Sequence, residues 1–519
     1  MLFTSYGFIA FLAVLFVLYY LIPKRFQWLL LLAADIVFYA CAGWKGLCFM
    51  AATVVVSWAA TNLMGASLAK QKAFLRSDEG KALERAERKA YKKQCEKRRK
   101  VIFVLALVAD LGILAALKYT NFLITNVNAL FSADIAAVDW VLPLGISFYT
   151  FQTVSYVIDV YWEKVEPEKN ILRVALFTSF FPLLIQGPIS RFGDLKDTLF
   201  AEHKANFKQI SFGLQRILWG YFKKLVIADT LAPYVQAVFA NYVHGRVCFH
   251  RRRFVCSRAL CRLHRRHRHN HRCCAGAWNK GEGELHPSVF FAQYRRILAQ
   301  MAHFHGHMVQ GLYLLSAVGR AVAAEAFKID GFGRKLSVYV STIVTWFLTG
   351  LWHGAAWNFV AWGLLNAFFI LLAEEFKPVS QRFRAKHERL VSGFGYRVFE
   401  TLRTFLLMCS LRVLDCYRDV EVSFRALGTV FTDFNWGEAF SGALLQLGLT
   451  GADYIIAAVG VVIMFAVSCV QEKYGSVREV LWEKPVLCYA VFFVLAVAVL
   501  TFGAYGVGYD AAQFIYNQF

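Results

Sequence analysis

Runs of apolar residues separated by short polar breaks fill most of the chain. They fall near residues 7–22, 27–42, 46–65, 101–117, 139–161, 171–188, 210–228, 337–352, 356–373, 398–411, 452–470 and 485–506. Several are interrupted, or shorter than the roughly 20 apolar residues that a bilayer-spanning helix needs. The pattern predicts an all-α fold: a polytopic membrane helical bundle of about nine to twelve membrane segments.

One run organises the rest. Ser337 to Phe369 reads SVYVSTIVTWFLTGLWHGAAWNFVAWGLLNAFF, and its one ionisable side chain is His353. Trp346, Trp352, Trp357 and Trp362 surround it in the sequence, with Gly350, Gly354, Ala355 and Ala356. An imidazole at membrane depth is costly unless it faces protein or a water-filled cavity, which marks it as a functional candidate. The plain alternative is a satisfied core histidine. Gly-Ala-Ala directly after it predicts a break between two spans, where backbone could approach a ligand.

Composition agrees with a membrane protein: 58% of residues are hydrophobic, 16% are aromatic and the mean hydropathy is +0.45. The net charge of +22 calls for no nucleic acid, because much of it lies in loops, as the positive-inside rule expects. The first residues lack a basic leader and a small-residue cleavage site, and so read as a retained first span. Cys41, Cys48, Cys409, Cys469 and Cys488, within apolar runs, read as small buried hydrophobes. Between residues 66 and 100, thirteen Lys and Arg oppose five Asp and Glu in a helix-forming composition. This stretch is an ordinary solvated helix or a surface for anionic lipid or an acidic partner, and either way a cytoplasmic loop.

Three further stretches carry unusual polar groups. VLPLGISFYTFQTVSYVIDVYW (141–162) includes Tyr149 and Gln152, which serve either as helix–helix glue or as the lining of a polar path. In FTSFFPLLIQGPISRF (177–192) Gln186, Gly187 and Pro188 interrupt an apolar run, and Arg191 follows as a candidate anchor for phosphate or a membrane surface. GLQRILWGYFKKLVIAD (213–229) reads as an amphipathic interfacial helix with Lys223 and Lys224 near lipid phosphates.

Taken in order, these three stretches, TWFLTGLWHGAAWNFVAWGLLN and the closing GAYGVGYDAAQFIYNQF resemble the membrane-bound O-acyltransferase (MBOAT) family. Within it they are similar to the bacterial branch of alginate O-acetyltransferases and teichoic-acid D-alanyl transfer proteins. The resemblance implies a single MBOAT domain over residues 1–519, multi-pass in the bacterial inner membrane, with a funnel around His353 as the family's histidine. It implies acetyl transfer from a cytoplasmic thioester, acetyl-CoA or a like donor, with no tightly bound cofactor or metal. The acceptor is an exported polysaccharide or an outer-face acetyltransferase partner. His353 acts as general base; Asn358 orients a substrate, binds the oxyanion or makes a helix–helix hydrogen bond. Gln186, Gly187, Pro188 and Arg191 shape the funnel and contact the donor, and Tyr149 and Gln152 line it. D-alanyl transfer to teichoic acid, a transporter and a non-enzymatic scaffold are the alternatives.

Residues 245–320 do not fit. HGRVCFHRRRFVCSRALCRLHRRHRHNHRCC carries His and Cys without the paired spacings of zinc sites. The family expects here Q-I-Y-x-D-F-S/T-G and then E-Y-W-R-R-W-H-I-S. Reverse translation shifted by one base admits Y-A-D-F-T-G from 260–275 and E-Y-W-R-R-W-H-I-S from 290–318. Two compensating frameshifts, near His244 and near Arg320, explain the segment, and codons incompatible with the shifted frame would refute them. The family's second histidine is then encoded across Ala302 and His303 but missing from the polypeptide, and neither His303 nor His305 inherits its role. Ten Arg between Arg246 and Arg272 cannot cross a bilayer at tolerable cost, so a poorly ordered or displaced segment is expected. Its loss bears directly on whether this chain is active.

Overall fold

The apolar runs fold as helices wherever the chain is described. The computed structural model describes residues 3, 5–140, 142–184, 190–234, 332–417, 419–432 and 449–505, so 245–320 lies outside it. Among these residues every regular element is helical. Five helices are long and apolar enough to cross a membrane: Trp44–Arg76, Arg85–Phe131, Trp357–Glu375, Gly451–Gln471 and Pro485–Phe502. The protein is an all-α, multi-pass membrane protein. Its described chain forms two compact units, divided in sequence between Phe207 and Lys208.

The first unit is built on α3 (Trp44–Arg76) and α5 (Arg85–Phe131), joined through the short α4 (Asp78–Ala82). Hydrogen bonds from Arg99 to Gln71 (2.6 Å) and from Ser57 to Asp110 (2.7 Å) show the two long helices running antiparallel. α5 continues unbroken for 47 residues, about 70 Å at 1.5 Å per residue. Its residues 85–100, with the end of α3, form a basic arm, and the apolar stretch follows without a break. α6 (Ile146–Tyr161) packs against both helices. α1 (Tyr6–Leu21), α2 (Gln27–Ala40) and α7 (Ile171–Ser179) complete the layer, with α8 (Phe181–Leu184) and α9 (Phe192–Leu199) following.

The run at 171–188 is not one span. Asn170 caps α7, and Pro182 withholds the N–H that would carry it onward. Asp35 of α2 takes up the freed groups, accepting from the Phe181 N–H (2.9 Å) and the Ser179 hydroxyl (3.2 Å). The cysteine expectation holds in part. Cys488 is a buried free thiol, but Cys409, also buried, is disulfide-bonded, and Cys41, Cys48 and Cys469 are exposed.

In the second unit, α10 (Phe207–Tyr221) runs into a π-helical stretch, Phe222–Asp229, packed on α17 (Gly451–Tyr474) and α19 (Pro485–Phe502). The expected interfacial placement of Lys223 and Lys224 is overturned here. Lys223 is 1% and Lys224 6% exposed. Lys224 pairs with Asp229 at 3.1 Å, a five-residue spacing that a π-helix brings to one face. The other group of helices is α11 (Phe332–His353), α12 (Trp357–Glu375), α15 (Phe394–Cys416) and α16 (Val420–Thr432). The short α13 (Lys377–Lys386) and α14 (Glu388–Ser392) lie between α12 and α15, and α18 (Val477–Trp482) joins α17 to α19.

Candidate active site

α11 ends on His353, Gly354 and Ala355 leave the helical path, and Ala356 starts α12 from extended backbone. The two helices close on each other through glycine. A Cβ on Gly350 would collide with the Phe359 carbonyl oxygen, and one on Gly363 with the Trp346 carbonyl oxygen. One on Gly354 would enter the Phe359 ring. Small residues at such a crossing let the backbones approach as larger ones could not.

His353 is 8% exposed. Its ring centroid lies 4.8 Å from that of Trp352 and 4.8 Å from that of Trp362, at 71° and 70°. Trp346 stands edge-on to Trp362 at 6.0 Å. Two indoles thus hold the imidazole edge to face, the preferred arrangement of such rings. The buried Trp362 Nε1–H has no hydrogen-bond partner among the described residues.

Asn358 lies one turn before Trp362 on the same face of α12. Its Nδ2 donates to the Leu414 carbonyl of α15 at 2.9 Å. Its buried Oδ1 has no partner among the described residues. The amide therefore makes the helix–helix bond through one N–H and leaves its Oδ1 acceptor for anything bound nearby. The site offers an imidazole able to take a proton near neutral pH, an acceptor oxygen and an aromatic wall.

The other residues singled out in the sequence lie in the first unit. Tyr149 is fully buried, and its hydroxyl has no partner among the described residues. The Gln152 amide donates to the Phe177 carbonyl at 2.8 Å, tying α6 to α7. Arg191, at the start of α9, reaches Asp159 of α6 at 3.1 Å. Gln186, Gly187 and Pro188 lie outside the described residues. Sequence reasoning missed the buried acids Asp35, Asp110 and Asp159, although a carboxylate within an apolar run was signal enough. It also listed Trp362 without seeing it as the ring against His353. Among the described residues no group of three His, Cys, Asp or Glu could hold a metal ion.

No family model matches the chain. It is 26% identical over 474 residues to a probable alginate O-acetylase AlgI of Pseudomonas syringae pv. tomato, covering 88% of this chain and 80% of that one. It is 29% identical over 374 residues to the Azotobacter vinelandii protein of the same name. The chain is a homologue of MBOAT-type O-acetylases. The Azotobacter match spans 68% of this chain and 65% of its homologue's length. A third homologue, a peptidoglycan O-acetyltransferase of Helicobacter pylori, is 24% identical over 323 residues, 54% of this chain and 56% of that one.

Proposed function

We propose that the protein is an O-acyltransferase of a bacterial inner membrane that moves acetyl groups from a cytoplasmic thioester towards an exported cell-surface polysaccharide. The observation that carries this reading is His353, buried between two indoles at a helix break, in a chain similar to O-acetylases over most of its length. The names of the homologues favour acetyl over D-alanyl transfer. The donor is acetyl-CoA or a similar acyl thioester.

In the proposed reaction the acceptor hydroxyl oxygen attacks the thioester carbonyl carbon as neutral His353 takes its proton. The C–O bond forms, the C–S bond breaks, and the departing thiolate receives the proton from the imidazolium. Asn358 Oδ1 accepts a hydrogen bond from a second, neighbouring hydroxyl of the acceptor and so aims the attacking one at the carbonyl. Arg191, with Gln186, Gly187 and Pro188, contacts the donor, and Tyr149 and Gln152 line its path. The acceptor is the polysaccharide itself or an outer-face acetyltransferase that relays the group.

The test uses a gene whose frame across codons 244–320 restores the family's second histidine. His353→Ala should lower polymer-bound acetate by about a hundredfold or more, the usual worth of a general base. Membrane insertion should be unchanged. Normal acetylation by that variant would sink the assignment.

A further inference from the structure

The turn between α1 and α2 and the chain after α9 enclose a groove of about 540 Å³ in the first unit. Its floor is fixed by one side chain. Gln27, 2% exposed, donates through Nε2 to the carbonyls of Tyr19 and His203, each at 3.0 Å. Its Oε1 accepts the His203 N–H at 2.9 Å. The mouth carries Lys24, Arg25 and Lys204, all exposed, against the single carboxylate of Glu202. None of the three cations makes an ion pair with a described carboxylate.

The level of the groove follows from a chain of contacts. Trp28, beside Gln27, meets Phe200 edge-on at 6.5 Å, and the Arg173 guanidinium lies over both rings. Arg173 also reaches Glu168 at 3.7 Å. The Glu168 and Lys169 carbonyls accept from Asn62 and the Trp58 indole of α3, each at 3.0 Å. A few turns on, Lys72 of the basic arm meets Glu163. The groove thus lies on the arm's side, the cytoplasmic side by the positive-inside rule. Tyr20, Trp28, Trp58 and Phe200 there form the aromatic layer expected where a membrane meets water. Leu21 (75% exposed) flanks the cations with bare apolar surface, and the Arg25 guanidinium lies over the Phe26 ring at 4.7 Å.

We propose that this groove binds the headgroup phosphate of an anionic phospholipid of the cytoplasmic leaflet. Three cations over one acid select a net negative headgroup, since a choline ammonium would be pushed off the same cluster. The bare Leu21 gives the acyl chains a surface to follow, which a soluble phosphate compound would not use.

The test uses the full chain in nanodiscs containing trace phosphatidylglycerol with a photoactivatable headgroup, or the matching phosphatidylcholine probe. Adducts should map to residues 20–27 and 202–205 with the glycerol probe and be scarce with the choline probe. Joint Lys24→Gln, Arg25→Gln and Lys204→Gln substitution should cut the yield about tenfold or more, as each cation near anionic lipid contributes roughly fivefold. Glu202→Gln should raise the yield, and this single exposed change keeps the proposal testable if the triple variant does not fold. Equal labelling by both probes, adducts confined to the basic arm, or displacement by excess coenzyme A would each overturn it, the last by assigning the groove to a nucleotide.

Discussion

Trp352 and Trp362 hold His353 edge to face. At Asn358 one amide serves two ends. Nδ2 joins α12 to α15, and Oδ1 is left as an acceptor. The unpartnered Oδ1 is suited to orienting a hydroxyl, the role proposed above for this side chain. Asn358→Ala should cost about 1–3 kcal/mol of stability by orphaning the Leu414 carbonyl. In frame-repaired protein it should also raise KM for the acceptor. Thermal unfolding in detergent and transfer kinetics read the two effects separately, and an unchanged KM would leave Asn358 as a helix tie only. The histidine was legible because the long apolar run around it has no Asp, Glu, Lys or Arg. Its neighbour Trp362 was not, because four tryptophans share that run and only packing decides which ring meets the imidazole.

At the scale of the helix, the α11–α12 hairpin depends on the absence of side chains at its crossing. Replacing glycine by alanine inside a helix ordinarily stabilises it by up to about 1 kcal/mol. At Gly363 the sign should reverse, because the added methyl meets the Trp346 carbonyl and would drive the helices apart beneath His353. Gly428 of α16 has nothing within 4 Å of the added carbon and is the internal control. Unfolding temperatures of Gly363→Ala and Gly428→Ala should therefore move in opposite directions, and movement in the same direction would contradict the close crossing. The break after His353 was readable from Gly354 and its small neighbours. At Phe180 the sequence offered Pro182 but not the carboxylate that supports the break, since Asp35 lies 144 residues from its partner Ser179. Lys223 and Lys224 were misplaced because a 3.6-residue period was laid over a stretch that winds as a π-helix and turns both cations inward.

For the whole molecule, class and membrane habit were plain from hydropathy, while the bundle's count of crossings was not, because short and broken helices blur the pattern. Sidedness has one clear marker, the basic arm. Cys95, free and partly exposed on that arm, gives a direct check. As the only cysteine in an otherwise cysteine-free chain, it should react with an impermeant maleimide in inverted vesicles and not in intact spheroplasts. The opposite result would turn the protein over and place the Lys24–Lys204 groove on the outer face. The unbroken α5 gives this orientation a cause in the order of synthesis. The arm is held between the apolar stretches of α3 and α5, and each of its cations resists being carried across. With that arm retained, α3 and α5 would enter in opposite senses, and α6, packed on both, would follow them. A cytoplasmic arm would thus fix the direction of the α3–α5 hairpin before the ribosome reaches His353.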